Sequence, residues 1–208
     1  FVEAADALSV PSGFVYYLAE QSTRLMPDAQ LALRGDPEFT YGFLPIGPAV
    51  NGSLPADVTP RLSDKFGLFV IPSALHDDAL QHCILGHELG HFLERTDGLL
   101  DEVWKSAPSG IRNKAYKLLT TEGGLRRGGA GLEVQNEYLT QFASWMREVI
   151  CDVTACHLLG PAFFYAGLEF TAFDAEPWKG SAWHPPPLLR HWINVGELNH
   201  LGWDRSVQ

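Results

Sequence analysis

The chain is poor in cysteine, poor in positive charge and free of long apolar runs, and each shortage excludes something. Three cysteines in 208 residues cannot all pair, and Cys151 and Cys156 fall in one helical pattern. Free thiols in a reducing, cytoplasmic setting are therefore expected rather than a disulfide framework. Only 15 Lys and Arg stand against 25 Asp and Glu, a formal net charge of −10 at pH 7. That balance argues against a nucleic-acid surface and against adsorption to anionic lipid. The longest apolar run, Leu158 to Leu168, holds Gly160 and Pro161 and falls far short of the ~20 residues a membrane helix needs. No signal-peptide pattern is visible, and no transmembrane segment is expected.

What is present is ordinary globular composition, 46% hydrophobic and 19% charged, enough for one domain with a real core. Residues 1–60 read as a helical and loop extension to a core over 61–208. Residues 12–25 form an amphipathic helix with Phe14, Tyr17, Leu18 and Leu25 on its apolar side. From 35 to 60, Gly and Pro are so dense that a draped connection with at most short strands is expected. Within it Asn51-Gly52-Ser53 reads as a turn rather than a glycosylated sequon. Phe66 to Ile71 is a strand ended by Pro72. A helix starting at Ser73, or at His76-Asp77-Asp78, runs to about Arg95. Ile111 to Thr121 look helical, and the glycines around Arg126-Arg127 read as a surface loop. Helices follow over Glu133 to Leu159, Ala162 to Phe170 and Pro187 to Leu201. The expected class is α+β, mostly helical, with a small sheet packed over the helix that carries residues 84–93.

That helix contains His87-Glu88-Leu89-Gly90-His91. Two histidines at i and i+4 lie on one helix face, one turn apart, and can converge on one ion. Zinc is the metal best known for this spacing. Glu88 sits beside the metal rather than on it, placed to take a proton from a zinc-bound water. Gly86 and Gly90 each cost a helix about 1 kcal/mol relative to Ala, which points to close approach by another backbone.

A catalytic zinc normally takes three protein ligands and a water. Downstream, Glu148 and Asp152 are again i and i+4 among apolar neighbours Val149, Ile150, Val153 and Ala155. The physical reading has Glu148 binding the metal and Asp152 fixing a ligand histidine through its second nitrogen. The alternative is a solvated acidic face. Cys151 competes only weakly with Glu148 as a ligand. His82 should point away from the metal, and His157 lies on the face opposite Glu148. His76, His191 and His200 lack partners at ligand spacing, although His191 could sit near the site. The loop from Trp178 to Trp183 either walls a pocket or covers the core.

The three ordered motifs His87-Glu88-x-x-His91, Glu148-x-x-x-Asp152-x-x-Ala155 and His184-Pro185-Pro186-x-x-x-Arg190 resemble those of one gluzincin family. It contains the CaaX prenyl proteases, the heat-shock membrane proteases and the soluble minigluzincins. The resemblance covers roughly residues 62–196, and the lack of membrane spans points to the soluble branch. It implies a zincin-like metallopeptidase domain with one zinc per chain, in which His184 helps hold the oxyanion and Arg190 pairs with Asp152. The expected activity is hydrolysis of peptide bonds in a peptide or protein substrate. A zinc-binding sensor without turnover, or a hydrolase of non-peptide amides or esters, would use the same scaffold. Substrate is expected to add as a strand along Gly67, Leu68, Phe69 and Val70, with a buried central strand as the alternative reading.

Overall fold

The computed structural model describes residues 2–3, 12–36, 41–55, 57, 62–72, 78–114, 117, 132–172 and 174–203. Four strands, β1 (Val2–Glu3), β2 (Gln30–Asp36), β3 (Gly42–Pro45) and β4 (Phe66–Pro72), form one sheet in the order β1-β2-β4-β3. The first three of these in spatial order run parallel, and β3 runs antiparallel to β4. Burial alternates along the strands, with Leu31 and Leu33 of β2 and Phe69 and Ile71 of β4 buried. This period of two puts one apolar face against the helices. Phe43 bridges the layers, its ring 5.4 Å from that of Phe69 and 4.8 Å from that of Phe92.

The expectation that β4 offers substrate a free edge is overturned. Gly67 lies opposite Leu31 on one side and Pro45 on the other, and Leu68, Phe69 and Val70 are likewise flanked by both neighbours. A continuous apolar run such as Phe66 to Ile71 marks a central strand, whose backbone is already paired. Gly67 does provide room, but for the core: a Cβ there would stand 2.4 Å from the Phe43 ring.

Described residues of the N-terminal third also join the core. The helix α1 (Ser12–Leu25) buries Leu18, and Met26 follows it into the interior, whereas Leu25 is 43% exposed. Leu18, Met26, Leu31, Leu33 and Phe43 join Leu85, Leu89, Phe92 and Leu93 in one cluster. Each such side chain contributes about 1.5–3 kcal/mol on burial. Asn51-Gly52 is not an open turn but lies in the short helix α2 (Gly47–Ser53). Its carboxamide clamps Leu62, donating to the carbonyl at 2.8 Å and accepting the N–H at 3.0 Å.

The helix α3, which carries His87 and His91, spans Leu85–Asp97, later than expected, and Gly98 ends it in the left-handed conformation (φ 66°). A 3₁₀ turn, Gln81–Ile84, precedes it, and Asp78 Oδ1 accepts the Gln81 N–H at 3.0 Å. His76 and Asp77 lie outside the described residues. After α4 (Leu99–Ser106) and a helical stretch at 109–114 come α5 (Leu132–Leu159), α6 (Pro161–Thr171) and α7 (Pro187–His200). Residues 118–131, including Arg126-Arg127, are outside the described set. Ala155, Cys156, Phe163, Phe164 and Leu198 make a second cluster between α5, α6 and α7. Ile84 packs on both clusters, so α3 and α5 meet at their seam. Among the described residues no helix is long and apolar enough to cross a membrane.

Candidate metal centre

The crossing of α3 and α5 depends on the two helix glycines. A Cβ on Gly86 would stand 3.3 Å from the Ala155 Cβ, and one on Gly90 would stand 2.6 Å from the Cys151 Cα. With only hydrogen at these positions, His87 and His91 reach the α5 face that carries Glu148 and Asp152. His87 Nε2 lies 3.4 Å from Glu148 Oε2, and His91 Nε2 lies 3.3 Å from Glu148 Oε1. Glu148 is 7% exposed, so the alternative of a solvated acidic face does not hold.

The imidazoles are oriented from behind by different partners. His87 Nδ1–H donates to Asp152 Oδ1 at 2.7 Å, which turns Nε2 toward Glu148. His91 Nδ1 instead faces the Cys151 thiol at 3.3 Å. Cys151 therefore lies on the far side of the ring from the point of convergence and is not a ligand. Burial, then nearby carboxylates including Glu148 and Asp152, push its thiol well above the ordinary range, so it stays neutral. All three cysteines are buried and free, as the spacing implied.

Asp152 is 1% exposed and is held by a two-pronged contact from Arg190, Nε to Oδ2 at 2.7 Å and Nη2 to Oδ1 at 2.6 Å. Such a fork is the geometry in which guanidinium and carboxylate pair best. Burial alone would raise the Asp152 carboxyl, but Arg190 and His87 outweigh it and hold it at about 2. Glu148 is likewise kept below the carboxylate range: burial opposes this, but His87, His91 and Arg190 prevail. Burial pulls His87 down, yet Asp152 and Glu148 push it up to about 9. Two ionised carboxylates thus face imidazoles at the foot of a cleft of about 360 Å³. Ligand atoms of His87, Glu88 and His91 lie within 4.8 Å of one another, so this group could hold a metal ion.

His184 reaches the same cleft from the loop before α7, its Nε2 3.9 Å from Glu148 Oε2 and its side chain 61% exposed. The Ser181 hydroxyl oxygen accepts the His184 N–H at 2.9 Å, and Trp145 and Gln141 of α5 donate to the Ser181 carbonyl. The loop is thereby tied to α5. Trp178 and Trp183 are 68% and 64% exposed, so neither covers the core. Trp183 instead borders a depression shared with His91, Arg147 and Glu148.

His82 is fully buried, 3.3 Å from the Tyr41 hydroxyl, and does not enter the cleft. His157 is exposed and pairs with Glu197 at 2.9 Å. The sequence reading missed Tyr41, Phe163, Gly167, Phe170, Thr171 and Asn194 as cleft walls. Asn194 did carry a signal, since it stands one turn after Arg190 between Ile193 and Val195. Comparison with known protein families, curated proteins and solved structures finds no match for this chain.

Proposed function

We propose that the chain is a zinc-dependent metallopeptidase holding one zinc through His87, His91 and Glu148. The spacing of the three donors carries this reading. Atoms set about 2.1 Å from a tetrahedral ion stand about 3.4 Å apart, and the two imidazole–carboxylate distances are 3.4 and 3.3 Å. Glu148 Oε2 is buried and has no hydrogen-bond partner among the described residues, the kind of atom a cation satisfies. Taking Glu88 as the third ligand would leave that oxygen with only the longer ion-pair contacts to His87, Arg190 and His184, and would remove Glu88 as the base.

Zinc, when bound, polarises the scissile carbonyl and acidifies the attacking water. Glu88 accepts that water's proton and passes it to the leaving amine. His184 stands at the cleft mouth, placed to donate to the developing oxyanion. Asp152 and Arg190 keep His87 in the tautomer that presents Nε2. A sheet edge available to an extended peptide is that of β3, whose outer side is unpaired among the described residues. The likeness of the three ordered motifs to the gluzincins supports the same reading.

Metal analysis of the purified protein should give about one zinc per chain, lost on His91→Ala. The Glu88→Gln variant should keep zinc and fold but no longer cleave a proteome-derived peptide library, since an amide accepts no proton there. Near-normal turnover by Glu88→Gln, or stoichiometric zinc in a chain lacking both histidines, would overturn the assignment.

A further inference from the structure

On the cleft wall formed by α6 and α7, two buried hydrogen-bond acceptors have no donor among the described residues. Asn194 is 3% exposed and its Oδ1 is unpartnered. His191 Nδ1, three residues earlier on the same helix face, is also buried and unpartnered. The neighbours of His191 decide its tautomer. The Thr171 hydroxyl donates to the Gly167 carbonyl at 2.8 Å, so it must accept from His191 Nε2–H, also at 2.8 Å. Nδ1 is left as a bare lone pair. Burial, and then the Arg190 charge, hold His191 below its ordinary value, which keeps the ring neutral.

Both residues line the cleft that holds His87 and Glu88, and Phe163 and Phe170 are its apolar sides. Gly167 leaves a notch beside them, since a Cβ there would meet only His191 Cε1, at 3.6 Å. A buried acceptor without a donor destabilises a fold. Two of them in the wall of one reaction cleft call for a ligand that brings donors.

We propose that His191 and Asn194 form the specificity subsite of this cleft, taking an uncharged substrate side chain that ends in N–H or O–H donors, a carboxamide above all. The proposal rests on the peptidase reading. A carboxamide offers two N–H groups to two acceptors. An aliphatic side chain satisfies neither, and a cation meets Arg190 nearby.

The zinc-loaded protein is given peptides randomised at the positions flanking the cleaved bond, beside Asn194→Leu and His191→Phe. Wild type should prefer Gln or Asn over Leu or Met at one flanking position by at least about tenfold, and Asn194→Leu should reverse the order. Because Asn194→Leu removes an unpartnered acceptor from the interior, its Tm should be no lower than that of wild type. A sharp drop in Tm would show a structural Asn194 and overturn the proposal. In a separate arm, zinc-loaded Glu88→Gln is titrated calorimetrically with paired Gln- and Leu-containing peptides, where tighter binding of the Gln peptide is expected. Tight, Gln-selective binding without any hydrolysis by wild type would sink the peptidase reading and leave the subsite standing. Indifference to Gln against Leu in both arms, binding of neither peptide, or selectivity unchanged in both variants would mean that water alone fills the acceptors, and the subsite is then wrong.

Discussion

A Cβ on Gly90 would stand 2.6 Å from the Cα of Cys151, closer than non-bonded carbons approach. This contact sets the distance between α3 and α5, and with it whether His91 and Glu148 can share an ion. Gly90→Ala therefore pits a helix-propensity gain of about 1 kcal/mol against overpacking of about 1–3 kcal/mol. The second effect prevails because the clash is with backbone. The variant should unfold earlier in urea and bind zinc at least about tenfold more weakly. Gly196 on α7 is exposed with nothing within 4 Å, so Gly196→Ala should stabilise by about 0.5–1 kcal/mol. Equal stability of the two variants would show that the helices are not in tight contact.

The Asp152 carboxylate serves both His87 and Arg190, and the two roles separate on mutation. Asp152→Ala should weaken zinc affinity about 10–100-fold, because His87 loses the partner that fixes its ring. Arg190→Ala leaves Asp152 buried and without its guanidinium, which should lower stability by about 3–5 kcal/mol while affecting zinc less. Competition with a chromogenic chelator and denaturant titration read the two effects. Unchanged zinc affinity in Asp152→Ala would show the carboxylate has another task.

His184 is largely exposed and contributes little to the core. His184→Ala should therefore retain zinc stoichiometry and Tm. If His184 steadies the oxyanion, kcat should fall about 10²–10³-fold with little change in KM. A change confined to KM would assign it to substrate binding instead.

In the metal-free chain two groups of the centre, His87 and Asp152, titrate with shifted values. His87 is raised from its ordinary 6.5 to about 9. Its protonated form therefore contributes stability that is complete below 6.5 and is lost as pH rises through about 9. Asp152 is lowered from 3.8 to about 2, so its contribution is present above 3.8 and is lost as pH falls through about 2. Chelator-treated protein should be most stable between these limits and weaken from pH 6.5 toward 9. Zinc should suppress the alkaline loss, because it takes the place of the proton on His87. Urea midpoints that stay level or rise over that alkaline interval would contradict the raised His87.

Much of the centre was legible because its parts are local. The pairs His87/His91 and Glu148/Asp152 are each set by the pitch of one helix, and the structure brings them together. The long periodic helices α1, α5, α6 and α7 fall within a residue or two of their expected limits. The place of β4 was less accessible. Its partners β2 and β3 come from segments 30–36 and 42–45, and the Gly and Pro content around them disguised their pairing. The helix α3 was expected to start earlier because the acidic pair Asp77-Asp78 suits a helix first turn, whereas a 3₁₀ turn over Gln81–Ile84 stands between Asp78 and α3.

By itself the sequence determined which side chains share a helix face, since spacing along a helix requires no knowledge of neighbours. It also determined that α3 had to meet another backbone closely, through Gly86 and Gly90. Only the tertiary structure decided that the backbone is α5, that Asp152 serves His87 while Cys151 backs His91, and that β4 is central while β3 is an edge. The same holds for the unpartnered acceptors of His191 and Asn194. Whether a polar atom finds a partner depends on how separate helices cross, and that crossing is set by packing across the whole core rather than by any local run of residues.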